Sequence, residues 1–160
     1  MPDSPVFTSP EPFEAERINA LAIYCSDGRF GEQFDDFLHH HLCLPRYDRL
    51  AVPGGPACLA GHYTSENELI GIKSQIRFLI EAHNLNTIVL IQHHNCAFYA
   101  HAMPGKQFEQ IKPAQDLDLG AAAAELRKMR PSLRVLTIFA RLVGDRVQFE
   151  EVHPEAVSTN

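Results

Sequence analysis

Thr87 to Ile91 reads Thr-Ile-Val-Leu-Ile, a run of β-branched and apolar residues with no polar alternation. A strand with one wet face alternates polar and apolar residues. A strand without alternation suits a parallel sheet covered on both sides. Such a sheet needs helical crossovers, so this run points to an α/β fold. The flanking segments agree. Ile18 to Tyr24 is a second short apolar run, ending at the turn signal Cys25-Ser26-Asp27-Gly28. Glu32 to Leu42 carries Phe34, Phe37, Leu38 and Leu42 at helical spacing. Arg49 to Val52 reads as a strand closed by Pro53-Gly54-Gly55-Pro56. Thr64 or Ser65 can cap a helix running to about His83, with Leu69, Ile72, Ile76, Leu79 and Ile80 on one face. Ala97 to Pro113 is less regular. Asp116 to Arg130 is Ala-rich, with acid at its start and base at its end, as the helix dipole favours. Leu133 to Ala140 is another strand, and Gly144-Asp145 turns the chain into Val147 to Val152, an antiparallel edge strand.

The expected fold is therefore α/β. It has a mainly parallel sheet of about four strands plus an antiparallel edge strand, with helices on both faces. Residues 1–16, rich in Pro and acid, read as an N-terminal arm. Residues 17–152 read as one domain, and 153–160 as a mobile tail.

Net charge is −6, from 14 Lys and Arg against 20 Asp and Glu. Nucleic acid is thus an unexpected partner, since phosphate binding needs a basic patch. No apolar run approaches the roughly 18 residues of a membrane span, and the acidic N-terminus is unlike a signal peptide. A cytoplasmic location is the expectation. Four cysteines, Cys25, Cys43, Cys58 and Cys96, contain no Cys-x-x-Cys pair. In a reducing compartment they point to metal binding or catalysis rather than disulfides.

In open α/β sheets ligands bind at the carboxyl ends of strands. Two features sit at such ends: Cys25-Ser26-Asp27-Gly28-Arg29 after the first strand and His93-His94-Asn95-Cys96 after the third. Zinc favours thiolate and imidazole in tetrahedral geometry. His93 and Cys96, three apart in a turn, can share one ion, and Cys25 completes three protein ligands if the two strands are neighbours. Three ligands leave an open position, as in catalytic zinc. Asp27 beside Arg29 stays ionised. It can orient a zinc-bound water, become a fourth ligand, or simply stabilise the loop as an ion pair.

Cys-x-Asp-x-Arg after strand one, followed by His-x-x-Cys after strand three, resembles the β-carbonic anhydrase family over about residues 18–140. The resemblance implies one Zn2+ per chain held by Cys25, His93 and Cys96, with Asp27 and Arg29 as the catalytic dyad. It implies hydration of CO2 to bicarbonate by a zinc-bound hydroxide, in a homodimer or higher homo-oligomer. A hydrolase acting on COS or CS2 at the same site, and a non-catalytic zinc protein of this fold, are the alternatives. Iron or cobalt is a further alternative for the metal. Three departures stand out. Ala51-Val52-Pro53-Gly54-Gly55-Pro56 replaces an Arg-Asn-Ala-Gly-like stretch, Ala97 replaces the usual Gly after the second Cys, and a short arm replaces N-terminal helices.

Candidate apolar lining comes from Phe30, Phe98, Tyr99 and Leu59, and His94, His62 or His101 could relay a proton. The Pro53–Pro56 loop is expected close to the metal crevice or as a plain turn. His39-His40-His41 reads as a solvated helix end, and Cys43 and Cys58 as packing residues.

Overall fold

The computed structural model describes residues 4–62 and 66–154. Among these, five strands form one sheet: β1 (Ala20–Cys25), β2 (Asp48–Val52), β3 (Thr87–His93), β4 (Arg134–Val143) and β5 (Arg146–Glu151). The order across the sheet is β2-β1-β3-β4-β5. The β1–β2, β1–β3 and β3–β4 pairs are parallel and β4–β5 is antiparallel. The expected architecture is the observed one.

β1 and β3 are buried along nearly their whole length because both their faces meet core. Leu21, Ile23, Ile88 and Leu90 pack with Ile76, Ile80, Leu119 and Leu126 on one side. Ala22, Tyr24, Val89 and Ile91 pack with Phe30, Phe34, Phe37 and Leu38 on the other. Successive side chains of a strand point to opposite faces, so the unbroken apolar runs serve both clusters.

Four α-helices are described: α1 (Gly31–Asp36), α2 (Glu66–Ala82), α3 (Ala97–Ala102) and α4 (Phe108–Met129). The segment expected as one helix from Glu32 to Leu42 is composite. A 3-10 turn over Gly28–Phe30 leads into α1, which ends in a π-helical turn, Phe37–His41. In that turn His40 bonds to Asp36 at 2.8 Å and the His41 ring stacks on Phe37. The irregular reading of 97–113 is corrected too. It contains α3 and the first turns of α4, which starts eight residues before Asp116. Gln107 and Gln110 form a reciprocal capping box there, with glutamines in place of the usual Ser or Thr signal. Pro113 lies inside α4, where it withholds one backbone donor. The caps expected at Thr64 or Ser65, and residues 155–160 of the tail, lie outside the described residues. Residues 4–17 form no helix or strand, and Val6, Phe7 and Phe13 are exposed.

Cys58 is buried as expected, and burial pushes its thiol up to about 12. Cys43 is not a packing residue: it is exposed, in a left-handed turn with φ +56°. The chain must reverse there to enter β2, which carries Cys43 out of the core.

Candidate metal centre

Because β1 and β3 are neighbours, their carboxyl ends lie side by side. Tyr24 pairs with Ile91 in register, which brings Cys25 and the turn after His93 into one crevice. Cys25, His93 and Cys96 are all buried, and their ligand atoms lie within 4.8 Å of one another. The group can hold a metal ion. The Cys25 and Cys96 sulfurs are 3.9 Å apart. Tetrahedral zinc with Zn–S bonds of about 2.3 Å places two sulfurs roughly 3.8 Å apart.

His93 is set up as a ligand by its other nitrogen. Nδ1 lies 2.8 Å from the His94 carbonyl oxygen. A carbonyl only accepts, so Nδ1 carries the proton and Nε2 keeps its lone pair. Nε2 is buried and has no hydrogen-bond partner among the described residues. A buried, unpartnered acceptor beside two thiols fits a metal. The thiols themselves act as a pair. The Cys96 S–H stabilises a Cys25 thiolate, as do the nearby backbone N–H groups of Asp27 and Gly54, so the first proton leaves well below the usual thiol range. That charge, with burial, holds the second proton on Cys96.

Asp27 caps the 3-10 turn and is gripped by Arg29. Its Oδ1 accepts from the Arg29 backbone N–H and from Nε, both at 3.0 Å, and Oδ2 accepts from Nη2 at 2.6 Å. The guanidinium holds the Asp27 carboxyl down at about 2. Arg29 Nη2 also lies 3.4 Å from the Asn95 carbonyl, which links the two strand-end loops. Asp27 is not among the converging ligand atoms, and both its oxygens face Arg29 donors.

The Pro53–Pro56 loop closes the crevice from the β2 side. A Cβ on Gly55 would stand 2.8 Å from the Cys25 backbone nitrogen, and one on Gly54 would stand 2.7 Å from the Phe98 ring. Both glycines have positive φ. Phe30 packs its ring 4.3 Å from that of His93. Leu59 lies instead in the core beneath α2 and α4. His101 is exposed on α3, and His94 packs on Phe108.

One set of residues had no place in the sequence reading. Gln115 on α4 donates to the His93 carbonyl at 3.0 Å and to Gln92 Oε1 at 3.3 Å. Gln92 donates to the Tyr99 hydroxyl at 2.8 Å, which donates to Asp118 at 2.5 Å. Burial and the Asp118 carboxylate keep the Tyr99 proton in place. Gln92, Tyr99, Gln115 and Asp118 are all buried. Tyr99 therefore ties α3 to α4, and it packs in one cluster with Cys25, Ala57 and Cys96. The available signal was Gln92 in an otherwise apolar strand, with Gln115 and Asp118 three apart on the Ala-rich helix.

A family model described as "Putative carbonic anhydrase" matches residues 15–153. A protein of Rickettsia bellii is 25% identical over 140 residues, 85% of this chain and 84% of that one. The β-carbonic anhydrase isoform I of Trichomonas vaginalis superposes with a TM-score of 0.58 at 10% identity, covering 93% of this chain and 90% of its own. One of two tetrameric β-carbonic anhydrases of Sordaria macrospora superposes with a TM-score of 0.56 at 17% identity, covering 82% and 79%. At such identities the two structures speak for the fold alone. With the family match running almost the full length of the chain, this protein belongs to the carbonic anhydrase-like family, as a divergent member with the β-class fold.

Proposed function

We propose that this chain is a zinc enzyme of the carbonic anhydrase type, hydrating CO2 to bicarbonate. In this reading Cys25, His93 and Cys96 hold the metal, and Asp27 and Arg29 form the catalytic pair. The observation that carries it is the convergence of two thiols and one bare imidazole nitrogen beside a carboxylate kept ionised.

Zinc held there supplies Lewis acidity, which makes a hydroxide nucleophile available near neutral pH. The chain's own residues do the rest. Each carboxylate oxygen has two lone pairs, so Asp27 can serve Arg29 and still accept a hydrogen bond from the nucleophile. Such a bond would let Asp27 orient the nucleophile. Arg29 holds the carboxylate in one orientation. Phe30 against His93, and Phe98 against Gly54, provide apolar surface for a small neutral molecule. A homodimer or higher homo-oligomer and a cytoplasmic location belong to the same reading. No described helix is long and apolar enough to cross a membrane.

Zinc-loaded protein should contain one metal per chain and hydrate CO2 in a stopped-flow pH-indicator assay. Asp27→Ala should lose the activity and keep the zinc. Full zinc occupancy with no hydration between about pH 7 and 9 refutes the enzyme and leaves a zinc-binding protein. Turnover of COS or CS2 without CO2 hydration keeps the site and changes the substrate.

A further inference from the structure

Behind the turn from His93 to Cys96, which joins β3 to α3, the polar side chains Gln92, Tyr99, Gln115 and Asp118 are all buried. Buried polar groups must find partners inside the protein, a demand that apolar side chains of the same shape would not make. We infer that these four are positioning residues for the metal centre, holding His93 and Cys96 at the spacing at which both reach one ion. The inference rests on the metal site of the proposed function.

The fixed support is α4. Gln115 and Asp118 are three apart on that helix and so share a face. Gln115 Nε2 donates to the His93 backbone carbonyl at 3.0 Å, at the start of the turn. Asp118 accepts from the hydroxyl of Tyr99, three residues past Cys96. The same carboxylate lies 2.9 Å from His62 Nε2. The turn is thus tied to one helix on both sides of the ligand pair.

Tyr99 reaches Cys96 in two ways. It packs in one cluster with Cys25, Ala57 and Cys96. Its backbone also belongs to the first turn of α3, where the Ala100 N–H bonds to the Cys96 carbonyl at 3.1 Å. Gln92 joins the two ties. Its Nε2 donates to the Tyr99 hydroxyl at 2.8 Å, and its Oε1 accepts from Gln115 at 3.3 Å. Donation therefore runs one way, from Gln115 through Gln92 and Tyr99 to Asp118, and each bond orients the next group. Between the ligands Asn95 takes φ +57°, a left-handed conformation that few residues besides glycine and Asn adopt readily. In so tight a turn, movement of either end changes the distance between the ligand atoms.

The test is the zinc affinity of the full chain by chelator competition, at a temperature where every variant is folded. The ligand-field absorption of the cobalt-loaded form is read beside it, because its intensity reports tetrahedral geometry. Tyr99→Phe keeps the ring and removes the hydroxyl. It should weaken zinc binding about tenfold to a hundredfold and lower the cobalt absorption. Asp118→Leu should do the same, whereas Asp118→Asn retains an acceptor oxygen for Tyr99 and should keep affinity near the parent's. Leu126→Ala cuts a buried side chain about two turns further along α4. It should lower stability in urea and leave both metal readouts at parental values. A network that only stabilises the fold would make Tyr99→Phe behave as Leu126→Ala does, and that result overturns the inference. So do equal losses of affinity in Asp118→Asn and Asp118→Leu. A parent chain that takes up neither zinc nor cobalt overturns the metal reading and this inference with it. Parental affinity in Tyr99→Phe leaves the metal reading standing and overturns the positioning role alone.

Discussion

Gly55→Ala is the perturbation that most directly probes how the loop after β2 builds the metal crevice. Gly55 has φ +51°, where an L side chain is strained by about 1–2 kcal/mol. The added Cβ would also stand 2.8 Å from both the Cys25 nitrogen and the Tyr24 carbonyl carbon. These are backbone atoms of a buried central strand, so they cannot rotate away as a side chain can. Overpacking of this kind costs about 1–3 kcal/mol. Together the terms predict a loss of about 2–5 kcal/mol, a large share of the roughly 5–15 kcal/mol of a typical domain. Urea denaturation of metal-free protein should show the midpoint falling with little change in slope, and thermal melting should drop by roughly 10 °C. Zinc affinity, measured by chelator competition, should fall as well, because the strained contact is with the residue carrying a proposed ligand. Gly28→Ala is the control. Gly28 lies closer in sequence to Asp27, yet nothing stands within 4 Å of its added Cβ, so its stability should stay within about 0.5 kcal/mol of the parent. A Gly55→Ala protein with parental stability and zinc affinity would refute the close-approach argument.

Three further outcomes are expected. Cys96→Ser should lower zinc stoichiometry, measured by elemental analysis after gel filtration, whereas Cys43→Ser at the exposed position should leave it intact. Arg29→Ala should return the Asp27 carboxyl from about 2 toward its ordinary value of 3.8, read by side-chain carboxyl NMR. Since the folded-state value is the depressed one, the pair's stabilisation is present above the unfolded value and is lost as pH falls from about 4 through about 2, a pH dependence the variant should lack. Gln115→Leu removes the donor to the His93 carbonyl and to Gln92, and should cost about 1–3 kcal/mol in urea denaturation; an unchanged midpoint would deny the network any role in holding the strand end.

The sequence alone determined the five strands, their order along the chain and three of the four helices described, but not α3. Thr87 to Ile91 suited a strand covered on both faces, and a Cys-containing turn after one strand and a His-x-x-Cys turn after another were visible as spacing. Both signals are local, because burial period and turn chemistry are written in neighbouring residues. The Gln-based cap of α4 and the π-helical end of α1 escaped the reading because their cues differ from the usual cap residues and from a plain 3.6 period. The structure decided what depends on which strands are neighbours. The order β2-β1-β3-β4-β5 places the Cys25 sulfur 3.9 Å from that of Cys96, 71 residues away. It also decided the His93 tautomer, set by one carbonyl; the need for glycine at position 55, set by the backbone of another strand; and the Gln92–Tyr99–Gln115–Asp118 network. The tautomer is set by the neighbouring residue His94 in a turn whose shape the fold imposes; the others are pairings between separate segments, settled by packing the whole chain into one core rather than by any stretch of it.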